Sequence, residues 1–246
     1  MKTILSLIIA LLSVVVATAA PEEGSAEESD QHLNWAFTPD PALPNVLILG
    51  DSISIGYTLQ VRELLQGKSN VFRPMGRHGN RRENCNGTGY GVANIDRWLA
   101  VQKWDVIHFN WGLHDLKHVK TPGTNEKSND INDPTQATIG EYTKNMKVLV
   151  SRLKATDARL IFATTTPIVS GTLNPLRTPE APVRYNAAAL KIMKANGVRV
   201  NDLHELCEPH LSEWQKPKNC HFNAVGSEAL AKQVAKAITE ELGSTD

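Results

Sequence analysis

The chain has 246 residues, with 26 acidic and 26 basic side chains and a formal net charge of zero. That balance excludes an electrostatic case for nucleic acid or for an anionic membrane surface as the partner. Three cysteines, Cys85, Cys207 and Cys220, leave one over after any pairing, so at most one disulfide is expected and a chain this long does not depend on it.

Lys2 precedes an apolar run over 4–16, followed by Ala17-Thr18-Ala19-Ala20. A positive start, an apolar stretch and small residues predict a signal peptide over 1–19, cleaved after Ala19, and hence a secreted or periplasmic protein. The run falls short of the roughly 20 apolar residues that span a bilayer, so no stable membrane insertion is expected. Residues 20–34 are rich in Glu, Ser, Ala and Gly and cannot bury apolar surface, which predicts a flexible acidic leader. A single domain is expected over 35–246.

Val46-Leu47-Ile48-Leu49 is a short apolar run closed by Gly50, as in a strand buried on both faces. A helix is predicted over 53–65, stopping at Gly67, then a short strand at Val71-Phe72, a helix over 92–100 and a strand over 105–111. The polar stretch 116–134, with Pro122-Gly123, predicts a long loop, a functional insertion or a lid. Ile139, Tyr142, Met146, Leu149, Val150 and Leu153 share one helical face. A strand over 159–163 leads into a second polar loop, a helix over 183–195 ending at Gly197, and a fifth strand over 198–200. Leu230, Val234, Ile238 and Leu242 mark the last helix. The alternation predicts an α/β fold, a three-layer α/β/α sandwich on a five-stranded parallel sheet. Ligands then bind beyond the carboxyl ends of the strands.

Gly50-Asp51-Ser52 lies at such an end. A serine between an apolar strand and a helix projects at the sheet edge, and the helix N-terminus aims backbone N–H groups at the same spot, where they can hold an oxyanion. Read locally, Asp51 or Ser52 is better explained as a helix cap. The nucleophile needs a base, and His221, in Asn219-Cys220-His221-Phe222-Asn223 just before the last helix, can reach that edge. Other clusters are weaker. His108, His114 and His118 stand on no ligand-bearing helix, and His204, Cys207, His210 and Cys220 are only loosely zinc-like, so no metal is expected. The glycines of 87–91 follow no strand and lack dinucleotide spacing.

Gly50-Asp51-Ser52 resembles the first block of the SGNH/GDSL serine hydrolases, Asn84-Cys85-Asn86-Gly87-Thr88 the second, Gly112-Leu113-His114-Asp115 the third, and His221 the histidine of the last. The resemblance runs in order from Gly50 to the final helix. It implies a flavodoxin-like three-layer fold and a cofactor-free esterase acting through an acyl-enzyme. Ser52 would be the nucleophile and His221 its base. The N–H groups of Ser52 and Gly87 would hold the oxyanion. Two positions depart from the pattern. His114 stands where the family has Asn as a third donor, with Asn110 nearby as an alternative. Lys218 stands where the family has Asp, three residues before the histidine. A cation there would oppose protonation of His221, so Lys218 is expected to face solvent. A backbone carbonyl from 214–217, or less directly Asp202, would then orient the ring.

The expected substrate is a small-molecule or glycan ester, with short acyl (O-acetyl) groups removed from a glycan. A lipase or lysophospholipase-type esterase and a non-catalytic carbohydrate-binding relative are the alternatives. Arg73, Arg77, Arg81 and Arg82 precede the second block; a solvated loop is the plainer reading, and the sharper one puts Arg77, Arg81 and Arg82 near the substrate entrance to meet an acidic substrate.

Overall fold

The computed structural model describes residues 35–76, 81–122, 124–171 and 173–244. The segments 1–19 and 20–34, expected to be a signal peptide and an acidic leader, lie outside them. Five strands, β1 (Asn45–Leu49), β2 (Asn70–Phe72), β3 (Val106–Phe109), β4 (Arg159–Ala163) and β5 (Arg199–Asn201), form one parallel sheet in the order β2-β1-β3-β4-β5. The register pairs Leu47 with Phe72 on one side and with Ile107 on the other. Chain order reverses at β1, between β2 and β3, and open parallel sheets form their ligand crevice at such a reversal.

Among the described residues there are seven helices, α1 (Ser52–Leu64), α2 (Thr88–Leu99), α3 (Ile139–Lys154), α4 (Glu180–Asn196), α5 (Leu203–Cys207), α6 (Leu211–Trp214) and α7 (Ala224–Gly243), of which the longer ones cover the sheet. α1 packs on α7, whereas α2, α3 and α4 pack in series. Two helical layers thus enclose strands that are apolar on both faces; Val46, Ile48, Val106, Ile107, Ile161 and Phe162 are fully buried. Helix ends follow local chemistry. Thr138 and Glu141 form a reciprocal capping box at the start of α3, and α4 stops at Gly197, which takes the left-handed conformation at φ 65°. No helix of the described residues is long and apolar enough to cross a membrane.

The sheet and its main helices match the sequence expectation. Three differences matter. α2 begins at Thr88, four residues before the expected position, because its cap comes from elsewhere in the chain. The short α5, a 3-10 turn at Glu208–His210 and α6 fill the connection to the last loop. The stretch 116–134 is tied down rather than loose: His118 bridges Thr135, Val119 bridges Lys127, and Lys117, His118 and Val119 are buried.

Candidate active site

The turn after β1 is held from below. Asp51 is the cap of α1, its side chain accepting from the Ile53 N–H at 2.9 Å. The Arg73 guanidinium, 4% exposed, donates to the Gly50 carbonyl at 2.9 Å and to the Ser54 and Thr58 hydroxyls. It also reaches the Glu83 carbonyl at 2.9 Å, binding the second block to the first. Cys85 N–H donates to the Gly50 carbonyl at 3.1 Å, and the Trp111 indole donates to the Cys85 carbonyl at 3.2 Å. Three chain segments from different strand ends are thereby locked around Ser52. Arg73 belongs to this scaffold, buried beneath the turn.

Ser52 and His221 meet. His221 Nε2 lies 2.7 Å from the Ser52 hydroxyl oxygen. Nδ1 lies 2.6 Å from Asn219 Oδ1, which also accepts the His221 backbone N–H at 3.0 Å. A backbone N–H only donates, so the Asn219 atom facing it is the oxygen. That oxygen requires the proton of a neutral imidazole to sit on Nδ1, leaving the Nε2 lone pair toward the serine. Burial first, then Arg177 and Lys216, hold the His221 pKa below the ordinary histidine value.

The orienting group is therefore the Asn219 side chain, which corrects the expectation of a backbone carbonyl from 214–217. Those residues build the turn instead: Lys216 N–H donates to the His221 carbonyl at 2.8 Å, and Gln215 pairs with Phe222. The buried Gln215 amide also bonds to Val169, Pro167 and Cys220, riveting the loop to the end of β4. Asp202 is occupied as the cap of α5 and by the Thr164 hydroxyl, so it does not orient the ring. Lys218 is exposed, at a left-handed φ of 51°.

The buried Asp115 carboxylate accepts from the Thr88 N–H at 2.8 Å and its hydroxyl at 2.5 Å. This caps α2 from the third block and fixes Gly87, where an added Cβ would stand 3.2 Å from the carboxylate. Among the described residues, the N–H groups of Ser52 and Gly87 have no hydrogen-bond acceptor. Gly112 brings the third block close to the loop after β4; a Cβ there would fall 2.0 Å from the Thr165 hydroxyl oxygen.

His114 is half-buried. Its pKa is pushed down to about 3, by burial first and then by Lys117, Arg177 and His221, so its ring is neutral. Asn110 is not an available donor: its amide hydrogens go to the Ala163 carbonyl at 2.8 Å and the Thr165 hydroxyl at 3.3 Å, joining β3 to β4. Arg82 stands over the Trp35 ring at 5.7 Å and pairs with Met75, near the end of β2. Arg81 is exposed, and its carbonyl accepts from Gly76 N–H. Arg77 lies outside the described residues. No group of three or more His, Cys, Asp or Glu among the described residues could hold a metal ion.

Two residues escaped the sequence reading. Asn219 could have been found from its position two residues before His221, the reach of an Asx turn. Arg177, 8% exposed, donates to the Leu113 carbonyl at 2.8 Å and lowers the pKa of both His221 and His114; no local motif marks it.

Solved structures share this architecture. A lipase/acylhydrolase from Enterococcus faecalis is 16% identical, with a TM-score of 0.62 over 80% of this chain and 96% of that one. An acetylxylan esterase from Geobacillus stearothermophilus is 18% identical, with a TM-score of 0.61 over 82% and 95%. The esterase EstA from Pseudoalteromonas sp. is 13% identical, with a TM-score of 0.58 over 81% and 99%. No protein of curated function matches in sequence. The model of the GDSL-like lipase/acylhydrolase family matches residues 48–229, a span that takes in Ser52, Gly87, His114 and His221. At that coverage the chain belongs to the GDSL-like lipase/acylhydrolase family, and it is a carboxylic ester hydrolase.

Proposed function

We propose that the protein is an exported esterase that removes short acyl groups, acetyl above all, from a hydroxyl-rich alcohol such as a glycan. Ser52 attacks the ester carbonyl while His221 Nε2 takes the hydroxyl proton, forming the tetrahedral oxyanion. The N–H groups of Ser52 and Gly87, with the His114 ring, stabilise that oxyanion. The His221 imidazolium returns its proton to the leaving alcohol as the C–O bond breaks. Water then attacks the acyl-enzyme, giving up a proton to His221, and Ser52 is regenerated with release of the acid. Asn219 holds the ring in the tautomer that makes each transfer available.

The observation that carries this reading is the relay itself, 2.7 Å from Ser52 to His221 and 2.6 Å from His221 to Asn219. The choice of alcohol is supported by a cleft of about 440 Å³ beside Gly87. Asn86, Asn125, Gln136 and Asn145 line it, and their amides, each with one protein hydrogen bond or more, keep atoms suited to sugar hydroxyls rather than to an acyl chain. Export is supported by the charged start, apolar run and small residues of 1–20.

The test is turnover of acetyl, butyryl and octanoyl esters by the protein and by Ser52→Ala. Acetyl esters should be fastest, and Ser52→Ala should lose most activity. Faster octanoyl turnover would replace this reading with a lipase, and binding of acetylated glycan without turnover would leave a carbohydrate-binding relative. N-terminal sequencing of exported material should begin at Ala20.

A further inference from the structure

Lys117 is 6% exposed, an unusual place for an ammonium. Its Nζ donates to Asn125 Oδ1 at 2.9 Å and lies 3.5 Å from His114 Nδ1. That second contact is long, but its sign is unambiguous. An ammonium has only protons to offer, so a proton on Nδ1 would point at a cation, whereas a lone pair there is attracted to it. His114 is neutral and carries one ring proton, which must then sit on Nε2. Nε2 has no protein partner among the described residues, nor is it one of the buried orphan atoms, so this edge of the ring is open.

The geometry points to Lys117 as a positioning residue that fixes His114 in the Nε2–H tautomer, so that a histidine does the work of an amide donor at the oxyanion. The inference rests on the esterase reading above, in which His114 serves that oxyanion. An amide always carries its hydrogens on nitrogen; an imidazole presents either a proton or a lone pair at a given edge. A histidine in this place therefore needs a second group to settle which it presents. The buried ammonium does so, and Asn125 Oδ1, which also accepts from the Gln136 amide at 3.3 Å, keeps the ammonium in place. The tied stretch 116–134 fits this: its bridges hold the segment that carries the Asn125 anchoring Lys117. The charged groups acting on His114, Lys117, Arg177 and His221, all disfavour a second ring proton.

Two measurements test this. In the unmutated protein, 15N–1H correlation of the imidazoles should show His114 with an unprotonated Nδ1 and a protonated Nε2. A protonated Nδ1 overturns the inference, and this spectrum stands whether or not any variant folds. The second is a kinetic cycle of Lys117→Met, His114→Asn and the double variant. Lys117→Met should lower kcat about tenfold, part of the roughly hundredfold or more that a whole oxyanion donor contributes, with KM little changed. In the His114→Asn background the same change should cost less than about twofold, because the amide needs no tautomer set for it. Equal losses in both backgrounds would make Lys117 merely structural and overturn the inference. His114→Ala with unchanged kcat would instead remove the oxyanion role of His114. A loss in His114→Ala with none in Lys117→Met would sink the role of Lys117 alone.

Discussion

His221 has a neutral amide, Asn219, where a carboxylate more often holds a catalytic imidazole. An amide oxygen sets the tautomer as a carboxylate does, yet it adds no negative charge to steady the imidazolium formed during attack. The pKa of His221 lies below the ordinary value of 6.5, through burial first and then Arg177 and Lys216. His221 therefore stays unprotonated into mildly acidic solution, and with His221 as the proposed base the acid limb of kcat/KM should have its midpoint below pH 6.5. Asn219→Ala should lower kcat by about ten- to hundredfold, since the ring loses its tautomer and its orientation together. Asn219→Asp should move the acid limb upward, as a carboxylate beside Nδ1 favours the charged ring. Lys218→Ala, at an exposed position, should leave kcat almost unchanged. An acid limb that does not move in Asn219→Asp would show that this contact does not govern the base. Ser52 and His221 were legible because strand, glycine and helix place one, and the last loop the other, at one sheet edge. Asn219 left only the weaker signal of its place two residues before His221, because a side chain folding back on a turn that passes through a left-handed Lys218 leaves no periodic trace.

The N-terminus of α2 shows why element boundaries were harder to read than the elements themselves. A local reading starts the helix at 92, where apolar spacing begins. The structure starts it at Thr88, capped by Asp115 from 27 residues further along. Burial pushes the Asp115 carboxyl up to about 7, against the pull of the Thr88 bonds, so it sits at some cost in a place where it is needed. Its bonds hold Gly87 at the mouth of the crevice. Asp115→Ala should therefore lower both stability, by about 1–3 kcal/mol for the donors left without a partner, and kcat, as the Gly87 N–H moves. Gly87→Ala separates the two effects. Its Cβ would press on a carboxylate 3.2–3.3 Å away, tighter than most contacts but not blocked, so kcat should fall by a larger factor than the unfolding equilibrium changes. Urea unfolding set beside kcat for both variants checks this; a purely thermodynamic loss in Gly87→Ala would mean that its backbone does not face the reaction. The long stretch 116–134 was legible as a loop, but its internal bridges and buried Lys117 follow from tertiary contacts that no local composition announces.

At the scale of the whole molecule, the parallel sheet was written in the apolar runs, and the three cysteines, all buried and unpaired, add no covalent support. A polar chain runs instead through the core. Gln233 of α7 donates to Asn201 Oδ1 at 3.0 Å, and Asn201 Nδ2 lies 3.2 Å from His108 Nε2, linking the last helix to β5 and β3. His108 is fully buried, and burial alone pushes its pKa down from 6.5 to about 3. Between those two values the unfolded chain binds a proton at this site and the folded protein does not. Its contribution to stability is therefore complete above pH 6.5 and is lost as pH falls toward about 3. One such proton steepens the fall of unfolding free energy by at most about 1.4 kcal/mol per pH unit. His114, also held near 3, adds to the same slope, while the raised Asp115 acts against it over its own window up to about 7. His108→Asn leaves an acceptor for Asn201 but nothing to titrate. It should lower stability at neutral pH through imperfect packing, and it should flatten the dependence of urea-unfolding free energy on pH between about 4 and 6. Parallel curves for the variant and the unmutated protein over that window would show that His108 takes up its proton without cost in the core, and the neutral reading of this buried link would fall.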